Sequence, residues 1–375
     1  MKFTVNRKEL LAAAQNTERI APRVSAIEIL QCAYLQAEQD TLTVASGNLE
    51  IALEQQLPAQ IETEGCAVIK APLLSGILRL LEGETVTFQM KNGTLVISSE
   101  TAEYAIRVMD AAAYPRMDIP CPAATVPVSG IPALTKRTVF AVSEDATRPM
   151  LKCVNLIFGA DGLQAVSTDS FRIASAKGDR ESRGNVHFLL PAASLEKLAG
   201  LVENRDKLQV GTTGKTIVFT KENFSFAARV MDGQYLAVSQ ILSGLKSRFT
   251  VLTDSTLLRD TVSQTLSVKG QQNRFCLSFA GNRLNIRCES ENGISETGLD
   301  VVALSGSPEG TFWYNPEQLL ECLRALNGTL MLEAVQHNAL LLKTDALVCF
   351  QMAVREPKAI ETEPQKRKKP RKEAA

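Results

Sequence analysis

One tetrapeptide, Arg-Val-Met-Asp, occurs twice in this chain of 375 residues, at positions 107–110 and 229–232. The two copies start 122 residues apart (229 − 107), and a weaker third copy, Gln-Met-Ala-Val at 351–354, starts after another 122 residues (351 − 229). A fixed period is typical of a chain built from copies of one structural unit. Because solenoid repeats are only about 20–50 residues long, this longer period predicts three domains of ordinary size.

Strand and helix signals keep almost the same period. Similar strand-like segments begin at Leu42, Leu163 and Leu284, each 121 residues after the last (163 − 42 and 284 − 163). Proline suits the first turn of a helix, and three prolines precede apolar residues at helical spacing. The predicted helices are Arg7–Thr17, 72–82, 130–142, 191–203, 256–267 and 316–326.

Hairpin turns complete the predicted architecture. Residue pairs that favour tight turns stand between alternating apolar runs at Asn92-Gly93, Asp161-Gly162 and Gly281-Asn282. We therefore expect an α+β fold of three pseudo-repeated domains, each with two helices on one side of antiparallel sheets. The predicted domains span residues 1–122, 123–245 and 246–355, and a disordered basic tail follows at 356–375.

The charge of the chain is balanced but unevenly distributed. Lys plus Arg and Asp plus Glu number 41 each. Residues 356–375 hold seven Lys/Arg and four Glu, which leaves 34 basic (41 − 7) and 37 acidic (41 − 4) residues before them. The slight excess of acidic residues before position 356 argues against a protein that binds DNA tightly through positive charge. The basic run at 366–372 is either a solvated terminus or a source of positive charge for DNA or an acidic partner.

The sequence offers no catalytic or cofactor motif. The eight cysteines are scattered without a C-x-x-C pair, so we expect free buried thiols in a reducing cytosol and no metal site. The segment Ser167-Thr-Asp169 could contain a catalytic nucleophile, but neither His187 nor His337, the possible bases, is near it in sequence. Phosphate-binding glycine loops and G-x-S-x-G are absent from the sequence. We therefore expect a non-enzymatic protein without cofactors. Because no run of the sequence reaches transmembrane length, we also expect it to be cytoplasmic.

Several short motifs, in order along the repeat, point to one family. They are Met1-Lys-Phe3, Ala45-Ser-Gly-Asn-Leu-Glu50, Ala113-Tyr-Pro115, Thr147-Arg-Pro149, Val166-Ser-Thr-Asp-Ser-Phe-Arg-Ile173 and Met352-Ala-Val-Arg355. Over residues 1–355 the chain resembles the bacterial β sliding clamp, the processivity subunit of DNA polymerase III. The resemblance implies three sliding-clamp domains per chain and a head-to-tail dimeric ring, with helices lining a hole around duplex DNA. The implied partners are DNA of any sequence, the polymerase III alpha subunit, the clamp loader and other proteins with clamp-binding motifs.

The resemblance also implies three sets of functional residues. A hydrophobic groove for short peptide motifs would use Arg148, Thr168, Ser170, Phe171, Arg172, Ile173, Leu236, Gln240, Ile241, Met352 and Val354. The DNA-facing residues would be Lys8, Arg19, Arg23, Arg79, Lys136, Arg137, Lys197, Arg259 and Arg324. The dimer interface would join an edge strand at Tyr104 and Ile106 to a second edge near Glu296 and a helix end near Leu266.

Each set has a plain alternative that the sequence leaves open. The basic residues could be ordinary solvated helix faces, and the apolar groove and interface residues could be core. Several groove positions also depart from the family pattern: Ser170 stands where Gly is common, Phe171 where His is frequent, and Gln240 where Arg is usual. Two other functions therefore remain open: a clamp-like paralogue for repair or a mobile element, and a monomeric peptide-binding adaptor.

Overall fold

The computed structural model describes residues 1–178, 181, 184 and 186–358. Residues 359–375, most of the predicted tail, lie outside the described residues. The chain divides into two compact units: Met1–Ser167 with Ala176–Leu236, and Thr168–Ser175 with the chain from Ala237. The three domain boundaries predicted above stay a prediction. Within the described ranges, no helix has the length and apolar character that crossing a membrane requires.

Helices of the described chain follow the predicted positions closely. They are α1 (Arg7–Ile20), α2 (Ala71–Leu80), α3 (Ile131–Thr138), α4 (Ala192–Ala199), α5 (Val238–Ser243), α6 (Ser255–Thr265) and α7 (Pro316–Ala325). Helices α1, α6 and α7 begin where the side chains of Asn6, Asp254 and Asn315 accept hydrogen bonds from main-chain N–H groups of the first turn. Six of the seven helices confirm predictions, and α5 was not predicted.

The strands, in chain order, make up most of the fold. They are β1 (Lys2–Asn6), β2 (Cys32–Glu38), β3 (Thr41–Gly47), β4 (Ile51–Thr63), β5 (Gly65–Lys70), β6 (Thr85–Lys91), β7 (Thr94–Ser98), β8 (Glu103–Arg107), β9 (Thr125–Val128), β10 (Cys153–Gly159), β11 (Gly162–Thr168), β12 (Arg172–Lys177), β13 (Val186–Pro191), β14 (Leu208–Thr213), β15 (Thr216–Lys221), β16 (Phe224–Arg229), β17 (Ser247–Asp254), β18 (Asn273–Ala280), β19 (Arg283–Ser290), β20 (Gly293–Asp300), β21 (Val302–Ser305), β22 (Glu309–Trp313), β23 (Thr329–Val335), β24 (Leu340–Lys343) and β25 (Leu347–Gln351). The predicted two-residue turns at Asn92-Gly93 and Gly281-Asn282 join β6 to β7 and β18 to β19.

In the first unit, strand β4 joins the first sequence repeat to the second. The sheet order is β8-β7-β6-β1-β4-β16-β15-β14-β9, with β2, β3 and β5 attached through β4. The first part of β4 pairs antiparallel with β16, and its second part pairs antiparallel with β1. Main-chain hydrogen bonds therefore run without a break from one repeat into the next.

The two copies of Arg-Val-Met-Asp make the same contact in the first unit. The N–H of Met109 donates to the carbonyl of Val68 at 3.3 Å, and the N–H of Met231 donates to the carbonyl of Leu189 at 2.8 Å. Both acceptors lie on the strand that precedes a helix, β5 in the first case and β13 in the second. The repeated tetrapeptide thus makes the same main-chain hydrogen bond in both places, which confirms the repeat for its first two copies.

A hydrogen bond donated by a tyrosine hydroxyl also occurs in both of these repeats. The hydroxyl of Tyr114 donates to the carbonyl of Cys32 at 3.4 Å, and the hydroxyl of Tyr235 donates to the carbonyl of Cys153 at 3.3 Å. Tyr114 belongs to the Ala-Tyr-Pro motif identified in the sequence, and its equivalent 121 residues later (235 − 114) was not singled out there.

Helices α1 and α2 pack together over the first repeat of the first unit. Beneath them, the rings of Phe3 on β1 and Phe88 on β6 stack with centroids 4.9 Å apart, and neither side chain is exposed. Leu10 of α1 and Leu74 of α2 are buried in the same core. The helices therefore keep their apolar faces on the sheet and turn their polar faces outward.

The second unit contains two antiparallel sheets. One runs β12-β25-β24-β23-β17-β21, and the other runs β20-β19-β18-β22. Helices α6 and α7 pack against each other, and α6 also contacts β17, β19 and β20. Strand β20 lies at the edge of its sheet, as β8 does in the first unit.

We expect Phe88→Ala to lower the free energy of unfolding by about 3–5 kcal/mol, because it leaves a cavity under the stacked ring of Phe3. The matched control is Leu80→Ala, on the exposed side of α2, which should change stability by less than about 0.5 kcal/mol. Urea unfolding followed by circular dichroism measures both. Equal stability of the two variants would contradict this core assignment.

Candidate functional site

The loop between β11 and β12, residues 168–172, is held by its own short side chains. The Asp169 carboxylate accepts hydrogen bonds from the N–H groups of Phe171 at 2.8 Å and Arg172 at 2.9 Å. The hydroxyl of Thr168 accepts from the N–H of Ser170 at 3.1 Å and donates to the carbonyl of Arg172 at 2.6 Å. Such side-chain bonds fix a tight turn without a regular ladder.

Arg172 connects this loop to helix α7. Its guanidinium donates to Asp169 at 2.9 Å and to Glu321 of α7, and the residue is buried. Burial acts to lower the pKa of Arg172, but the hydrogen bond that it donates to Glu321 and the charges of Asp169 and Glu321 outweigh burial and hold that pKa above its usual value. A buried arginine with two carboxylates is fully paired, so the loop has one preferred position.

Ser170 adopts a backbone conformation that favours glycine. Its φ angle is +82°, in the left-handed region, where a side chain costs roughly 1–2 kcal/mol per residue. This is the position at which the resembling family commonly has Gly. The loop therefore holds a serine in a backbone conformation that glycine adopts more readily.

Four exposed apolar side chains of the second unit make up the candidate groove. Phe171 is 60% exposed, Ile241 on α5 is 43% exposed, and Met352 and Val354 are each 42% exposed. The N–H of Met352 donates to the carbonyl of Phe171 at 2.9 Å, so the loop and the C-terminal segment are adjacent. Exposed large apolar side chains next to one another are typical of a binding surface.

Ile241 is exposed on helix α5 of the same unit. Leu242 of α5 and Leu245, which follows the helix, pack on a buried cluster that contains Leu341, as do Val348 and Phe350 of β25. Because one face of α5 is fixed on the sheet in this way, Ile241 is left exposed. The sequence signal for a helix of six residues with one buried residue is too short to recognise.

The other predicted groove residues fall into three groups. Thr168, Arg172 and Ile173 are buried in the protein, so they shape the loop from beneath. Gln240 and Ser170 are exposed in the second unit. Arg148 and Leu236 are exposed in the first unit.

Four of the nine predicted DNA-facing residues line one open cavity of about 900 Å³ in the first unit. They are Arg19, Arg23, Arg79 and Lys197, and they are exposed. Helices α1, α2 and α4 supply three of them, and Arg23 follows the end of α1. The carboxylates of Glu18 and Glu196 line the same cavity, which limits its positive charge.

A fifth cation in this cavity, Lys70, was not predicted. It immediately precedes α2 and forms an ion pair with Glu28 at 2.8 Å. Because it stands at the end of a strand and outside a helical stretch, a search for cations on helices passes over it.

Two hydrogen bonds from side chains to main-chain carbonyls join the first and second repeats at this cavity. The guanidinium of Arg19 donates to the carbonyl of Gly200, and the ammonium of Lys197 donates to the carbonyl of Arg19. These contacts neutralise no charge, so both cations remain available to an anion.

The remaining predicted DNA-facing residues do not line this cavity. Lys8, Lys136, Arg137, Arg259 and Arg324 lie on helices and are exposed or half-buried. Arg259 pairs with Asp260 at 3.1 Å. Their assignment to DNA stays a prediction.

The predicted interface residues lie on or beside sheet edges. Tyr104 and Ile106 are on edge strand β8 and are half-buried against the core of the first unit. Glu296 is exposed on edge strand β20. Leu266 is only 8% exposed, so its own side chain offers little surface to a second copy.

Comparison with known proteins identifies the relatives of this chain. Residues 1–118 match the profile of the DNA polymerase III beta subunit, N-terminal domain, and residues 125–236 match that of its central domain. The beta sliding clamp of Bacillus subtilis is 27% identical over 347 residues, which cover 88% of this chain and 91% of that protein.

Two solved structures are similar across nearly the whole chain. A putative DNA polymerase III beta subunit from Eubacterium rectale has a TM-score of 0.88 at 19% identity and covers 94% of this chain and 99% of its own. The DNA polymerase sliding clamp from Bacillus subtilis has a TM-score of 0.87 at 23% identity and covers 95% and 99%.

The left-handed conformation of Ser170 predicts a clear order of stability among variants. Ser170→Gly should leave the unfolding midpoint unchanged or raise it, because glycine adopts this φ without steric cost. Ser170→Val should lower the free energy of unfolding by about 1–3 kcal/mol, because a β-branched residue is strained there. The control is Ser225→Val in strand β16, where valine is favoured. Equal midpoints for the Gly and Val variants at position 170 would contradict the loop geometry.

Proposed function

The chain belongs to the DNA polymerase III beta subunit family, the bacterial sliding clamps, and we propose that it tethers the replicative polymerase to duplex DNA as a closed ring of two copies. Members of this family are processivity subunits and not enzymes. The observation that carries the proposal is the repeat itself: two family domains follow one another along a continuous sheet, and a second unit with the same strand-and-helix pattern follows them.

Ring closure would use the two edge strands already described. An edge strand presents unpaired main-chain groups that need a partner or a block. Strand β8 belongs to the first unit and strand β20 to the second, so pairing β8 of one copy with β20 of the next is a head-to-tail contact. A head-to-tail contact closes into a ring when the rotation per copy suits it, and a half-ring closes with two copies.

The cavity of the first unit supports a loose contact with DNA. Its five cations share the space with Glu18 and Glu196, and the body of the chain is slightly acidic. Phosphate contacts position a protein on DNA without reading sequence, and few contacts give weak binding. A ring with such a lining would hold DNA by enclosing it and would remain free to slide. Because a sliding clamp acts on replicating DNA, we expect this protein to act in the bacterial cytoplasm.

The apolar groove would capture partner proteins. Phe171, Ile241, Met352 and Val354 offer an apolar surface beside an extended segment, which suits a short peptide with one or two apolar anchors. Phe171 and Gln240 give this groove a different shape and charge from the family pattern. We therefore expect partner peptides adapted to this chain.

Retention on DNA should be topological. After loading onto circular DNA by the clamp loader, the protein should survive salt that abolishes electrostatic binding, because a linked ring cannot leave sideways. Linearising the circle should release it, and binding to a short linear duplex should be weak, with Kd on the order of 10⁻⁴–10⁻⁶ M. Gel filtration of the loaded DNA before and after cutting measures this. Equal retention on cut and closed DNA would contradict enclosure.

Truncating the groove should weaken peptide binding without unfolding the protein. The probe is the tightest binder among overlapping short peptides that cover the polymerase alpha subunit of the same organism. Phe171→Ala and Met352→Ala should each weaken its binding by at least about tenfold, which is about 1.4 kcal/mol. The control is Leu257→Ala, an equally exposed apolar residue on α6, which should bind like the unchanged protein. Unaltered affinity in both groove variants would reject this assignment.

A further inference from the structure

The chain beyond strand β25 leaves regular structure but stays attached to the second unit. The N–H of Val354 donates to the carbonyl of Trp313, the last residue of β22, at 2.8 Å. Farther on, the carbonyl of Pro357 accepts a hydrogen bond from Nε of Arg274 at 3.1 Å. The extended segment after β25 is therefore fixed at both of these points.

Arg274, near the start of strand β18, is the centre of this attachment. Its guanidinium also donates to the carboxylate of Glu356 at 2.9 Å and to that of Glu289 at 3.2 Å. It lies over the ring of Trp313, 5.2 Å from the ring centroid, and its side chain is only 17% exposed. All three nitrogens and the flat face of one side chain are thus engaged.

The chemistry of these contacts requires arginine. A planar guanidinium can donate in three directions and stack on an aromatic ring at the same time, whereas an ammonium is a single point charge. Hydrogen bonds to charged or main-chain acceptors in a partly buried site are stronger than exposed ion pairs. Because β18 is an inner strand of its sheet, Arg274 holds the segment against a fixed base.

The attachment determines the position of a groove residue. Trp313 accepts from the N–H of Val354 while its ring lies under Arg274, so the guanidinium orders both sides of the segment that carries Val354. Between Met352 and Pro357 no regular strand pairing restrains the chain. Without Arg274 the segment would retain the Val354–Trp313 bond but lose its far anchor, and the freed residues would gain conformational entropy that a bound peptide must remove.

We propose that Arg274 is a positioning residue for the groove, a latch that holds Glu356 and Pro357 and thereby keeps Val354 in place for a bound peptide. This inference rests on the proposed function of the groove. It extends the functional surface to residues beyond Arg355, where the family resemblance ends. The ligand is a short peptide with apolar anchors, and Arg274 acts on it through the segment without touching it.

The test compares variants on the full chain with the polymerase-derived peptide described above. Arg274→Gln should weaken peptide binding by about tenfold, because the segment that carries Val354 is no longer held in one conformation. Glu356→Gln, a change at an exposed side chain, should weaken it by about threefold. The double variant should bind no more weakly than Arg274→Gln alone, because both changes break one connection. The control is Arg283→Gln on β19, which loses the exposed ion pair with Asp300 and should bind normally.

A second readout separates the latch from general stability. Trypsin cleavage after Arg355, identified by mass spectrometry, should accelerate in Arg274→Gln and Glu356→Gln while the unfolding midpoint of the Glu356 variant stays unchanged. Wild-type affinity in Arg274→Gln, or additive effects in the double variant, would overturn the latch. If the unchanged protein binds none of the peptides, the groove itself is rejected before any variant is compared.

Discussion

Main-chain pairing along strand β4 is the constraint on which the first unit depends. One end of this strand completes the sheet of the first repeat, and the other end supplies an edge for β16 of the second repeat. Because a register shift of one residue would turn every buried side chain outward, this pairing fixes both repeats together. It also places α1, α2 and α4 so that their cations line one cavity.

The second constraint is the buried arginine beneath the groove. Arg172 is satisfied by Asp169 within its own loop and by Glu321 on α7, and Asp169 also caps the main chain of Phe171. This arrangement fixes the loop, so that Phe171 can remain exposed without collapsing onto the core. The strain at Ser170 is tolerated because the surrounding bonds determine the loop. Substitution of exposed groove residues can then change which peptides bind while the loop beneath them keeps its conformation.

Much of the fold could be predicted because its signals are local or periodic. Proline at the first turn, apolar spacing and two-residue turns located six helices and most strands of the first repeat. The exposure of groove residues was harder to predict. An apolar residue in an extended segment gives the same signal whether it faces the core, as Ile173 does, or solvent, as Met352 does.

Contacts between residues far apart in the sequence could not be predicted at all. The ion pair of Arg172 with Glu321 joins residues 149 positions apart, and the bonds of Arg274 to the C-terminal segment span more than 80. No spacing rule applies at such distances, since only the folded sheets bring these groups together. Lys70 was missed for a different reason: its side chain reaches the basic cavity from the end of a strand.

The proposed function requires that two copies of this chain close into one ring. Native mass spectrometry of the protein at micromolar concentration tests it most directly, because a chain of 40.8 kDa has an unambiguous dimer mass. A closed ring of two copies should give a dominant species of twice 40.8 kDa that persists when salt is raised, since paired sheet edges are held by main-chain hydrogen bonds. A single species of 40.8 kDa under the same conditions would contradict it.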